Sequence, residues 1–251
     1  MKMTYEFEEY DPKTFIDIGL AFGTLSGSET MIVAGRDGKP VTRLAKRAMG
    51  LGIAWTGTTV LDLRLMPKEI VKHEVKKLMA NGGFYISYDN NKFSIDLFNK
   101  DGDVVDEDFE KEIKKVIKNN RCSKVAVTNL GTHMYYPNAI DDYINDIVSE
   151  VSFKKPINVI VDCQNSPMTM AIPQLFERYG ITVSTTNTFF TGYAGNQEIK
   201  DFLRQLKEGD FYIGLRLMPD AIEIYTAKGK KVAEKKNIVA ALKYIENMGD
   251  L

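Results

Sequence analysis

Apolar positions recur along this chain at two spacings, and segments of the two kinds alternate almost throughout. Residues 12–25 read as a helix, with Phe15, Ile18, Leu20 and Phe22 apolar. TMIVA at 30–34 is a short apolar strand that ends in the polar turn GRDGKP. Leu44, Ala48, Leu51 and Trp55 then recur at spacings of four and three, the apolar face of a helix over about 41–56. Gly57 closes it, and TTVLDL at 58–63 is the next strand. Pro67 stands where a helix starts, and Val71, Val75 and Leu78 give that helix its apolar face. After Asn81-Gly82-Gly83, FYISYDNNKFSIDLF reads as two strands about a polar turn at Asp89-Asn90-Asn91. An acidic helix over 106–119 and a strand KVAVTN follow.

The stretch NLGTHMYYPN at 129–138 has no periodicity and contains Gly and Pro, so a domain boundary is expected there, between residues 1–132 and 133–251. The second half restarts with a helix at 139–150 and a strand NVIVDC at 158–163. A helix over 167–179, a strand ITVSTT, a loop at 187–196 and a helix ending at Gly209 come next. DFYIGLRLM, AIEIYTA and KKVAEK read as strands, and a helix at 237–247 ends the pattern. Each half contains a strand, polar loop, helix, strand unit. The expected fold is therefore α/β: two consecutive small domains, each a mostly parallel mixed sheet flanked by helices.

Composition narrows the class. The 251 residues are 44% hydrophobic and 27% charged, enough for a core and unlike a disordered chain. Lys plus Arg is 33 against 34 for Asp plus Glu, so there is no basic surplus of the kind a nucleic-acid binder uses. Two cysteines, Cys122 and Cys163, make no disulfide framework and have no zinc spacing, which fits a reducing, cytoplasmic setting. The acidic N-terminus is no signal peptide, and no apolar run reaches the roughly 18 residues of a membrane span.

Ligands of open α/β sheets sit at the carboxyl ends of strands, which selects four loops. Gly35-Arg36-Asp37-Gly38-Lys39 offers Arg36 and Lys39 at a helix N-terminus, a phosphate cradle or a solvated turn. Ser87, Tyr88, Asp89, Asn90 and Asn91 form a polar tip, a site or ordinary hairpin chemistry. Asp162 to Ser166 precedes a helix, where Ser166 before Pro167 makes a good N-cap. Arg216 to Asp220 interrupts two strands, and a plain hairpin explains it. His73 reads as solvated, His133 as a linker residue, and Cys163 as a buried thiol rather than a nucleophile. No metal-ligand set appears.

The order of these loops resembles the α-D-phosphohexomutase family of phosphoglucomutases and phosphomannomutases. That family's first domain carries "GRD-R-S", a helix, "G-V-dlG-pTP" and "GG-ImITASHNP". MIVAGRDGKPVTRLAKRAMGLGIAWTGTTVLDLRLMP and NGGFYISYDNN follow the same course. Its second domain has "vvvDcanG", a helix, "rLG-eV" and "iAfDgDaDR-avvDekG", matched by NVIVDCQNSPMTMAIPQLFERYGITV and YIGLRLMPDAIEIYTAKGKKV. The resemblance implies domains of the family's first and second types.

It also marks departures. The family's phosphorylated serine falls on Asp89 and the following histidine on Asn90; only Asn91 stands. Of the three metal-loop aspartates, the first falls on Arg216, the second on Met218, and only Asp220 remains. Magnesium takes hard oxygen ligands, so the expected complement is no metal and no cofactor. The segment "FGTSGIRG" has no counterpart, and the chain stops where the family's sugar-reading and phosphate-holding domains would begin. These departures imply a non-catalytic binding or regulatory relative of the mutases. Its expected partner is a second copy, another protein or a phosphorylated small molecule, with no nucleic acid or membrane involved. The alternatives are a phosphoryl-transfer enzyme acting through Asp89, whose carboxylate can accept a phosphoryl group, and one subunit of a split mutase. In either setting Asp89 is the candidate catalytic residue. Arg36, Lys39, Ser87, Asn90, Asn91, Arg216 and Asp220 are the phosphate-binding candidates, and Arg216 is also a candidate to bridge to Asp89.

Overall fold

The computed structural model describes residues 3–6, 11–154, 157–189, 196–218 and 221–248. The chain divides into two units, Met1–Ala139 and Ile140–Leu251.

The first unit runs β1 (Met3–Glu6), α1 (Pro12–Ser26), β2 (Met31–Arg36), α2 (Pro40–Trp55), β3 (Thr59–Leu65), α3 (Lys68–Lys77), β4 (Gly82–Asp89), β5 (Lys92–Phe98), α4 (Glu107–Lys118) and β6 (His133–Tyr135). Its six strands lie in the order β1-β5-β4-β2-β3-β6. β4, β2, β3 and β6 are parallel, while β5 and β1 add antiparallel at one side. Alternation along β2 sends Ile32 and Ala34 to the core shared with α1, α2 and α4, where Phe15, Phe22, Met49, Ile53, Phe84 and Ile113 are buried. On the other face, Val71 and Val75 of α3 sit where Gly35 and Gly83 leave room, since a Cβ on either glycine would meet those valines.

Glycine also sets the fit of α1 on α2. A Cβ at Gly19 would meet the Met49 carbonyl, one at Gly52 the Ile16 carbonyl, and one at Gly23 the Thr56 hydroxyl. The two backbones therefore approach closely along this seam. That approach decides which side of α2 is buried. Ala45, Met49, Gly52 and Ile53 face inward, and the stripe Leu44, Ala48, Leu51 and Trp55 picked out by spacing does not. Leu44 is 53% exposed and Trp55 58%.

Two more expectations change. KVAVTN is not a strand. It is irregular with a 3-10 turn at Val127–Asn129, because the edge of β3 is taken by β6, whose pairing aligns Val60 with His133 and Asp62 with Tyr135. That pairing puts the 133–139 segment in the first unit, so the boundary falls at 139/140 rather than 132/133.

The second unit runs α5 (Ala139–Glu150), β7 (Asn158–Asp162), α6 (Ile172–Arg178), β8 (Thr182–Thr186), α7 (Asn196–Glu208), β9 (Ile213–Leu217), β10 (Ile222–Thr226), β11 (Lys231–Lys235) and α8 (Ile238–Glu246). Its sheet order is β11-β10-β9-β7-β8, with β9, β7 and β8 parallel and β10 and β11 antiparallel. The helix expected over 167–179 is broken into a 3-10 turn at Pro167–Met170 and α6, joined at Ala171. On one sheet face Ile160, Phe202, Leu206 and Tyr225 pack together, with Gly214 making room for Phe202 and Leu206. Both units are thus mixed sheets flanked by helices.

Candidate functional site

In the first unit the candidates gather at the neighbouring carboxyl ends of β2 and β4, which pair in register at Arg36 and Ile86. Asp37, not singled out by sequence, ties them together. Its Oδ1 accepts from the Lys39 amide at 3.0 Å and the Thr42 hydroxyl at 2.7 Å. Its Oδ2 accepts from the Tyr88 amide at 2.8 Å. Burial pushes the Asp37 carboxyl up, against these hydrogen bonds and the Arg36 charge. Arg36 turns back on its own loop, Nη1 donating to the Asp37 carbonyl at 2.7 Å, and burial lowers its guanidinium pKa. Nearby, Lys46 is buried and ion-paired with Asp62, which also accepts from the Arg64 amide at 2.6 Å. Arg64, at φ 63°, stacks its guanidinium 3.7 Å from the Tyr135 ring centre. Lys46 stands one helical turn or more past the GRD motif, and no short motif marks it.

Ser87 lies within β4, opposite Ser94. The tip is a two-residue reverse turn: Asp89 pairs with Lys92, and Asn90 and Asn91 both have positive φ, 49° and 61°. Asn tolerates that region, which explains the residue choice. Asp89 is exposed, and its Oδ2 accepts from the Asn90 side-chain amide at 3.0 Å.

In the second unit the third and fourth loops meet around Asp162, which is fully buried at the end of β7. Arg216, 8% exposed on β9, donates from Nε to Asp162 Oδ2 at 3.1 Å. Its Nη2 donates to Gln164 Oε1 at 3.3 Å, and its Nη1 lies 3.7 Å from Glu223 Oε2 on β10. Asp162 further accepts from the Gln164 amide at 3.1 Å, the Gln164 side chain, and Asn187 Nδ2 at 2.8 Å. Gln164 and Asn187, which supply these groups, and the intervening Asn165 all adopt left-handed backbone, φ 51°, 51° and 55°. Burial pushes Glu223 up, but hydrogen bonds from Lys231 and Tyr225, and the charges of Lys231 and Arg216, hold it below the usual carboxylate range. The Arg216 guanidinium is thus engaged on every nitrogen within its own unit.

Other candidates fall as follows. Asp220 lies outside the described residues. β9 and β10 pair antiparallel with Leu217 opposite Ile222, and the Met218 amide donates to the Ala221 carbonyl at 2.8 Å. Ser166 makes no capping bond; its Oγ is buried without a hydrogen-bond partner, because Pro167 opens a 3-10 turn rather than an α-helix. Cys163 is buried, which pushes its thiol up to about 11. His73 is not simply solvated: its Nδ1 lies 2.7 Å from Oε1 of the buried Glu74. His133 is a strand residue whose ring covers Gly50. Among the described residues no three or more His, Cys, Asp or Glu side chains gather as a metal site, and no helix is long and apolar enough to cross a membrane.

Comparison with known proteins extends this picture. The family described as "Phosphoglucomutase/phosphomannomutase, alpha/beta/alpha domain I" matches residues 1–124. A phosphoglucosamine mutase of Francisella tularensis is 27% identical over 222 residues, 82% of this chain and 49% of that protein. The probable phosphoglucosamine mutase of Methanosphaera stadtmanae is 27% identical over 186 residues, 72% of this chain and 41% of that one. A crystal structure of a phosphoglucomutase/phosphomannomutase family protein from Burkholderia thailandensis has the same fold, with a TM-score of 0.80 at 19% identity, covering 92% of this chain and 54% of that one. The chain spans about half the length of the relatives it matches.

Proposed function

Residues 1–124 belong to the phosphoglucomutase/phosphomannomutase family, and from that premise we propose that the protein is a non-catalytic relative that keeps the family's scaffold for binding. Its ligand in this reading is a protein partner or a phosphorylated small molecule. The observation that carries the reading is Arg216. Where the family's metal loop begins with an aspartate, this chain holds a guanidinium, buried against Asp162, Gln164 and Glu223.

Magnesium does not fit that donor set. It prefers hard oxygen ligands in octahedral geometry, and Arg216 and Met218 supply none. At about 4 Å and an effective dielectric near 20, unit charges interact by about 4 kcal/mol, so a divalent ion beside the guanidinium would lose up to about 8 kcal/mol. Swinging Arg216 away would leave the buried Asp162 charge without its cation, a loss of about 3–5 kcal/mol. The fixed cation therefore balances the buried Asp162 charge in place of an ion.

The test has two parts. A real magnesium site loaded to 100 times its Kd would stabilise the native state by about 2.7 kcal/mol. Millimolar magnesium is expected to shift the melting temperature no more than an inert salt of equal ionic strength. Incubation with glucose, mannose and glucosamine phosphates plus magnesium or manganese is expected to give no isomerisation. Turnover that vanishes in Asp89→Asn would overturn the reading in favour of phosphoryl transfer through that carboxylate.

A further inference from the structure

Helix α2 carries an apolar stripe that nothing in the described structure covers. Val41, Leu44, Leu51 and Trp55 are 38, 53, 50 and 58% exposed, with the half-buried Ala48 between them. Their spacing of 3, 4, 3 and 4 is the seam that helices present to one another. A single exposed leucine is ordinary, but four large apolar side chains in one line on one helix mark a contact surface. The helix has no need of this face for its own fold, because Ala45, Met49, Gly52 and Ile53 bury a neighbouring face about 100° round the helix.

The charges beside the stripe select the occupant. Arg43 and Arg47 stand one turn apart, both exposed, along one flank of the stripe. Neither has an ion-pair partner among the described residues, and α2 contains no acidic residue at all. Two copies of α2 packed antiparallel about a twofold axis would set this arginine row against itself. A helix with apolar anchors at the same spacing and Asp or Glu on the facing flank would instead be matched at both arginines.

We propose that the outer face of α2 is the docking site for an amphipathic, acid-flanked helix of a partner protein, held by Leu44, Leu51 and Trp55 and oriented by Arg43 and Arg47. This deepens the binding role proposed above by naming the partner's chemistry, and it rests on that reading only for the purpose of the contact. The mode is a helix laid along an apolar surface, with anchors read at i, i+3, i+4 and i+7.

Trp55 is the only tryptophan of the chain, so its emission reports occupation of the stripe directly. The probe is a tryptophan-free synthetic helix of about three heptads, with leucine at both seam positions and glutamate on the flanks. A second probe has lysine in place of every glutamate. Added to the intact protein at low salt, the glutamate helix is expected to give a saturable blue shift. The lysine helix is expected to bind at least about tenfold more weakly. Leu44→Gln combined with Leu51→Gln should abolish the shift while leaving the melting temperature unchanged, and Arg43→Glu with Arg47→Glu should reverse the preference between the two probes. Absence of any shift with the glutamate helix, or equal binding of both helices, would overturn the proposal. So would a dimer in sedimentation that the two leucine substitutions dissolve, because the occupant would then be a second copy. Neither probe involves magnesium or a sugar phosphate, so failure here leaves the reading of Arg216 standing.

Discussion

A buried carboxylate needs a cation or several donors, and Asp162 has both. Two residues of its network, Gln164 and Asn187, contribute through backbone conformations that cost most side chains energy. Removing Arg216 strips the charge partner but leaves the carboxylate in place. Arg216→Ala is therefore expected to destabilise the protein by about 3–5 kcal/mol in chemical denaturation, near the upper end for a point substitution. Asp162→Asn combined with Arg216→Met, which removes both charges, should cost less than the single substitution. Cys163 lies next in the chain and behaves as core. With its thiol pushed up to about 11 by burial, it is expected to resist alkylation in the native state at pH 8, so that mass spectrometry finds label on the half-buried Cys122 alone until denaturant is added. Its linkage has a definite sign. The native thiol keeps its proton while the unfolded one loses it above about pH 9, so stability falls as pH rises from about 9 toward about 11, by up to about 3 kcal/mol. That fall should be missing from Cys163→Ala.

Helix α2 shows how an element can be recognised correctly and faced wrongly. Its existence follows from spacing alone, and Pro40 at its first turn and Gly57 past its end agree with its bounds. Two apolar stripes run along it, however. Leu44, Ala48, Leu51 and Trp55 are the larger, and Ala45, Met49, Gly52 and Ile53 are the smaller. Size would turn the larger one inward. The glycines decide otherwise, because Gly19, Gly23 and Gly52 let the α1 and α2 backbones approach on the smaller stripe. The consequence is a pair of opposite outcomes. Gly52→Ala would place a methyl on the Ile16 carbonyl and is expected to lower stability by about 1–3 kcal/mol. Leu44→Gln, on the exposed stripe, should stay within about 0.5 kcal/mol of the parent. Thermal denaturation of both variants checks the assignment. The β4–β5 tip is the contrasting case: Asp89-Asn90-Asn91 announces a turn, and the turn is there, with the left-handed backbone that Asn accepts.

At the scale of the molecule, each unit holds its own sheet and its own buried cluster. The first cluster draws on α1, α2, α4, β2, β4 and β5 without help from residues beyond 139. Residues 1–139 expressed alone are therefore expected to fold, with dispersed amide resonances and a cooperative melting transition; a chain that stays collapsed or unfolded would show that the first core depends on the second unit. The place of the boundary was not legible, because HMY at 133–135 is three residues with no alternation to announce a strand. It becomes one only by adding to the open edge of β3, whose own strand pattern says nothing about its neighbour.

The sequence by itself determined most of what is local. Alternating periods of two and near four set the order of strands and helices, proline and glycine set many of the helix ends, and Asn placed the turns, since each acts through the backbone of a few residues. The ordered loops also carried the family resemblance. The tertiary structure decided what depends on distant partners. It chose the buried face of α2 through a glycine seam spanning more than thirty residues of sequence. It brought Arg216 to an aspartate fifty-four positions away, and it used Asp37 to tie the β2 loop to Tyr88, fifty-one positions on. Close approach and charge pairing are relations between surfaces, and a linear pattern records only one surface at a time.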